Sequence, residues 1–203
     1  MIDVVNRSVR AIPNWVLYVA GAVPVIWLYV LGFQNALGAD PVDAIERNLG
    51  LWALWLLIAG LCITPLQRLT PLRLIKLRRP IGVVAFFYVL VHFLTWLVLD
   101  VQIPSQIVAD IIKRPYVTVG MAALLLLLPL AVTSNNWSIR KMGARWRTVH
   151  KLVYPAVLLA GLHMVMQAKG FQLEPLVYLA AIAFLVAMRW MPLSSFRQAF
   201  VKR

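Results

Sequence analysis

Charge is scarce in this sequence. Only 13% of its 203 residues are Asp, Glu, Lys or Arg, and seven of these are acids, against 62% hydrophobic residues and a mean hydropathy of +0.82. A soluble domain of this length needs a charged surface that such a composition does not supply, so the chain is expected in a membrane. Its one cysteine, Cys62, lies within an apolar run and has no partner for an internal disulfide. No ten-residue segment alternates with period two, which excludes a transmembrane barrel. No internal repeat, low-complexity stretch or Gly/Ser linker divides the chain, so residues 1–203 read as one domain. There is no glycine-rich dinucleotide fingerprint, no phosphate-binding loop, and no Ser–His–acid or metalloprotease arrangement.

Long apolar runs fill the space that charge leaves. Six stand out, at about Trp15–Phe33, Leu49–Leu66, Ile81–Leu99, Tyr116–Thr133, Leu152–Gln167 and Leu176–Trp190. With no water to satisfy backbone groups in hydrocarbon, runs of this length must be helical, so the fold class is an all-α polytopic bundle of six spans. The first run follows Arg7 and Arg10 but is too long for a secretory signal, and is read as the first transmembrane helix. Pro24, Pro129 and Pro155 fall inside spans, where local kinks are expected. Trp15, Trp52, Trp96, Trp146 and Trp190 fall near span ends, as an interfacial belt would place them.

The formal net charge of +13 does not point to nucleic acid, because the basic residues cluster at span ends. Arg7, Arg10, Arg68, Arg73, Lys76, Arg78, Arg79, Arg140, Lys141, Arg145, Arg147, Lys151, Arg189, Arg197, Lys202 and Arg203 fall on one side. Only Arg47, Lys113, Arg114 and Lys169 fall on the other, together with six of the seven acids. Sixteen against four places both termini in the cytoplasm of a bacterial inner membrane, the basic side facing anionic lipid.

Ionisable groups inside a bilayer are costly, so those present are functional candidates. No Asp, Glu, Lys or Arg occupies the middle third of a span, which argues against a proton-coupled transporter or an ion channel. What remains is His92 in the third span, His163 in the outward half of the fifth, and His150 at the inward start of the fifth. Two histidines at similar depth on different helices suit an iron porphyrin held through one imidazole on each face. Counted from the span starts, the two depths differ by roughly 6 Å. Ala85, Ala156 and Ala160 would leave room for a flat macrocycle, or would serve helix packing. Without a C-x-x-C-H string, the haem would be held non-covalently as haem b.

His150 is a further candidate ligand, for a second haem, but the third span offers it no partner. Thirteen steps of ~100° also turn it about 140° from His163. Its other reading is an interfacial histidine hydrogen-bonded to a neighbour or to a haem propionate. Arg78, Arg79 and Arg147 are candidates for pairing with haem propionates or quinone oxygens, or are part of the topology signal.

Several strings are recognisable in order along the chain: Leu37-Gly-Ala-Asp-Pro-Val42, Ile63-Thr-Pro-Leu66, Arg78-Arg79-x-x-Gly82, His92, Arg114-Pro-Tyr116, Thr133-Ser134, and Gly143-x-Arg-Trp-x-x-x-His150-x-x-x-Tyr154 with His163. With them the chain resembles the MsrQ (YedZ) family and, more widely, the ferric reductase-like transmembrane domain. That wider group carries pairs of histidines on two helices, so a third span with His92 alone is a departure.

The resemblance implies an electron-transfer subunit rather than a catalytic one. It would carry haem b, take electrons from the quinone pool or a cytosolic flavin reductase, and pass them to MsrP. MsrP is a periplasmic molybdopterin enzyme that reduces methionine sulfoxide in oxidised proteins. The family is also described as binding FMN, although no flavin motif is visible here. The acidic segment Leu37–Gly50 is the candidate docking surface for that partner, or else a connecting loop with Asp40 capping a helix. Two alternatives remain: a ferric-reductase-like cytochrome with another acceptor, and a small transporter or scaffold whose histidines bind a metal or merely pack.

Overall fold

The computed structural model describes residues 2–189, and every regular element among them is helical. The helices are α1 (Ile2–Ala11), α2 (Asn14–Phe33), α3 (Pro41–Leu69), α4 (Arg78–Thr95), α5 (Pro104–Lys113), α6 (Pro115–Val132), α7 (Asn136–Met142), α8 (Ala144–Val149), α9 (Val153–Gln167) and α10 (Leu173–Ala187). Among the described residues, five stretches are long and apolar enough to cross a membrane: α2, α3, Ile75–Val101 around α4, α6, and Ala144–Gln167 through α8 and α9. The sixth expected run forms α10, whose 15 residues extend only ~22 Å at ~1.5 Å each, short of the ~30 Å of hydrocarbon. Trp190, the expected end of that run, lies outside the described residues.

Three segments expected as connections are helices of their own. α1 and α5 are short amphipathic helices at opposite sequence ends of spans, and α7 precedes the turn into α8. Charged residues interrupt each of them, which hides them from a search for long apolar runs.

Local chemistry explains the boundaries. Asp40 caps α3 by accepting a hydrogen bond from the Asp43 amide at 3.0 Å, with Pro41 in the first turn where no amide is needed. The capping role expected of Asp40 is therefore present. Asp40→Ala should destabilise the protein by about 1 kcal/mol, read as a lower midpoint of thermal unfolding in detergent. Asn135 caps α7 through the Ser138 amide at 2.8 Å. Gly143 joins α7 to α8 at φ +53° and ψ −124°, a conformation open to glycine and strained for other residues. Pro24 and Pro129 lie inside α2 and α6, as does Pro65 inside α3. Pro155 falls in the first turn of α9, after a tight 3-10 turn over His150–Leu152, so the phase break precedes the proline.

The core lies between two closely packed helix pairs, α3 with α4 and α6 with α9, and α10 closes against α9. Leu57, Leu61, Leu127, Val157 and Ile182 fill its centre. Ala85 and Ala156 belong to that core and are wholly buried. Of the expected interfacial tryptophans, Trp15 is 65% exposed, whereas Trp52 packs against Tyr88 and Trp146 stacks on His150.

Candidate functional site

The two helix pairs bring His92 of α4 and His163 of α9 face to face. Their ring centres are 6.3 Å apart and their planes cross at 77°. Each ring is held from behind by a main-chain carbonyl of the partner helix in its pair. His92 Nδ1 donates to the Glu46 oxygen on α3 at 2.9 Å, and His163 Nδ1 donates to the Tyr116 oxygen on α6 at 2.7 Å. A carbonyl can only accept, so the proton of each neutral ring sits on Nδ1. Nε2 keeps the lone pair.

The two halves use the same device. Glu46 and Tyr116 each stand four residues before a glycine, Gly50 and Gly120. In an α-helix the carbonyl of residue i already accepts from the amide of i+4, and its second lone pair is free for a side chain that can reach it. The glycine makes that approach possible. A Cβ on Gly120 would lie 2.8 Å from His163 Nδ1 and 2.9 Å from Cε1; one on Gly50 would lie 3.4 Å from His92 Cε1. Each histidine thus rests on a glycine of the neighbouring helix. Neither glycine nor either carbonyl is singled out in the sequence, although a Gly within an apolar helix beside a histidine span is the signal that could have found them.

The spacing of the two rings would let them hold a single ion between them. A metal–imidazole bond of about 2 Å plus roughly 1.2 Å from nitrogen to ring centre puts two opposed rings about 6 Å apart. Among the described residues no three His, Cys, Asp or Glu side chains converge as a metal site. Two imidazoles therefore leave the remaining positions to a ligand that brings its own donors, as a porphyrin does.

The other expected site residues lie elsewhere. His150 faces no histidine, because the chain has three and the other two face each other. Its Nε2 is 3.1 Å from Thr133 Oγ1, and the Trp146 ring stacks on it at 3.8 Å while donating from Nε1 to the Thr133 oxygen. This matches the reading of an interfacial histidine bonded to a neighbour. Arg78 and Arg79 open α4, fourteen and thirteen residues and roughly 20 Å before His92. They stand towards the opposite end of α4 from that ring. Arg79 Nη1 donates to Asn136 Oδ1 at 2.6 Å, joining α4 to α7, and Arg147 is exposed. A basic contact not expected from sequence is Arg189, which donates to Thr64 Oγ1 and, at 3.0 Å, to the Leu61 oxygen, and lies over the Tyr154 ring. It ties the end of α10 to α3.

Residues 49–161 match the family described as ferric reductase like transmembrane component, a stretch that holds His92, His150, Gly50 and Gly120 and stops two residues before His163. Fold and match together define a ferric-reductase-like membrane domain. The chain is 49% identical over 176 residues to the protein-methionine-sulfoxide reductase heme-binding subunits MsrQ of Brucella ovis, Brucella canis and Brucella suis, covering 86% of this chain and 80% of each relative. It belongs to the MsrQ family. No solved structure matches it significantly.

Proposed function

We propose that this chain is a haem b electron-transfer subunit in which His92 and His163 are the axial ligands of one iron. The observation that carries this reading is the pair of opposed imidazoles 6.3 Å apart, each with Nδ1 committed to a carbonyl. The relatives' names, which call them heme-binding subunits of a protein-methionine-sulfoxide reductase, support it. The reading extends to six crossings, with α10 as the sixth, and to cytoplasmic termini in a bacterial inner membrane. The sixteen-to-four distribution of basic residues supports that orientation. Electrons pass from membrane quinol to a periplasmic molybdenum enzyme that reduces methionine sulfoxide in oxidised proteins. That partner docks at the acidic outer segment 37–50. His150 and its Thr133–Trp146 contacts are assigned to structure, so a single haem is expected. No residue is assigned to FMN.

Bound haem b supplies a one-electron couple at its iron. The chain's residues do the rest. The carbonyls of Glu46 and Tyr116 fix the tautomer and the direction of each ring, and make each imidazole a stronger donor. Gly50 and Gly120 set how far each ring can retreat. Apolar helices exclude water from the pair.

The purified protein should contain one haem b per chain by pyridine haemochrome assay. Quinol should reduce that haem, and the oxidised molybdenum partner with methionine sulfoxide should reoxidise it. A correctly folded but colourless preparation would sink the haem assignment. Reoxidation by a ferric chelate but not by the partner would favour the ferric-reductase alternative, for which the match over residues 49–161 speaks.

A further inference from the structure

The amino-terminal helix α1 is polar and charged on one side and apolar on the other. Asn6 pins it to the chain that follows α3: its side chain donates to the Pro71 oxygen at 3.2 Å and accepts from the Arg73 amide at 2.8 Å. Asn6 is 6% exposed, the buried residue of an otherwise open helix. Lys76 Nζ then closes the carboxyl end of α1, donating to the oxygens of Arg10 at 2.6 Å and Ile12 at 2.7 Å. Two polar latches sixty-odd residues away in sequence hold a ten-residue helix that has almost no apolar packing of its own.

Docking by the polar side leaves the apolar side outward. Ile2 and Val5 lie on one face of α1 by helical spacing and both are exposed, as is Ile12 just past the helix end. Only Ile12 and Pro13 separate α1 from the start of α2, where Trp15 and, further along, Val19 and Val23 are also exposed. Exposed apolar side chains thus run from α1 into the first turns of the span that follows it. Between α1 and the 71–73 chain lies a cavity of about 410 Å³ lined by Ile2, Asp3, Asn6, Arg10, Pro71 and Arg73. Arg7, Arg10 and Arg73 make no ion pair among the described residues, and Asp3 is the only acid on this side of the membrane in the charge reading.

We propose that this cavity binds the headgroup of an anionic phospholipid, with Arg10 and Arg73 facing its phosphate and the apolar side of α1 lying among its acyl chains. A helix with one apolar face and a basic flank settles at the boundary of headgroup and acyl chain, and cationic side chains there are drawn to anionic lipid. The polar latches hold the arginines in place before the lipid arrives, so the site recognises a headgroup rather than adding only to general positive charge.

The test uses the full-length protein in detergent, titrated with phosphatidylglycerol and followed by native mass spectrometry, with size-exclusion elution as the check on folding. The Arg10→Gln/Arg73→Gln variant should bind phosphatidylglycerol about tenfold more weakly, since losing two charge-assisted contacts removes at least that much affinity. Asn6→Leu, which undocks α1 but keeps every charge, should lose a comparable factor. Arg140→Gln/Arg145→Gln, which removes two exposed charges elsewhere on the same side, should bind as the parent does. Equal loss in that control, unchanged affinity in Asn6→Leu or in the Arg10/Arg73 variant, or equal binding of phosphatidylcholine or inorganic phosphate would overturn the proposal.

Discussion

His92→Ala and His163→Ala are each expected to strip most of the haem b from the purified protein, while His150→Ala retains a substantial part. Disturbing an outer hydrogen-bond partner of a metal-ligating histidine costs roughly 10–100-fold in affinity. Removing the ligand itself, and leaving a gap where the ring stood, should cost more. Among the described residues no group of three His, Cys, Asp or Glu side chains converges as an alternative metal site. His150 is held by Thr133 and Trp146 instead, so its loss disturbs packing between α6 and α8 without touching the pair. The Soret absorbance per protein, with helix content followed by circular dichroism, separates these outcomes. Unchanged spectra in both of the first two variants would end the axial assignment.

The glycine seats give the second large effect, and an internal comparison. Gly120→Ala places a methyl carbon 2.8 Å from His163 Nδ1, so either the ring must turn away from the Tyr116 carbonyl or α6 and α9 must separate. Haem affinity should fall by about 10–100-fold, the scale for losing such a hydrogen-bond partner. Gly50→Ala meets His92 at 3.4 Å, an ordinary contact, and should change affinity by no more than about threefold, under 1 kcal/mol. Helix propensity works in the other direction, because alanine favours a helix interior over glycine by about 1 kcal/mol. Loss of haem in Gly120→Ala alongside an unchanged or raised unfolding midpoint would therefore report on the ring. Equal behaviour of the two variants would show that the glycines do not set the ring positions.

The apolar runs made the five candidate spans legible because their length leaves no other way to satisfy the backbone. α1, α5 and α7 were not legible, since each is short and carries charge, and what places them is a latch such as Asn6 on Pro71, far away in sequence. His92 and His163 stood out because imidazoles are rare in hydrocarbon. Their depths, counted from span starts, are similar to within roughly 6 Å, and in the structure the rings meet. What sequence places poorly is the boundaries: α4 begins at Arg78, and a 3-10 turn at His150–Leu152 precedes α9. Glu46 and Tyr116 act through their carbonyls, which every residue has, so side-chain chemistry gives no sign of them.

The most direct measurement is the low-temperature electron paramagnetic resonance spectrum of the oxidised protein. Opposed imidazoles crossing at 77° should give a low-spin ferric signal with the strong anisotropy that near-perpendicular axial planes produce, and His163→Ala should abolish it. A high-spin signal from the parent protein, or a low-spin signal that survives in both His92→Ala and His163→Ala, would place the iron elsewhere.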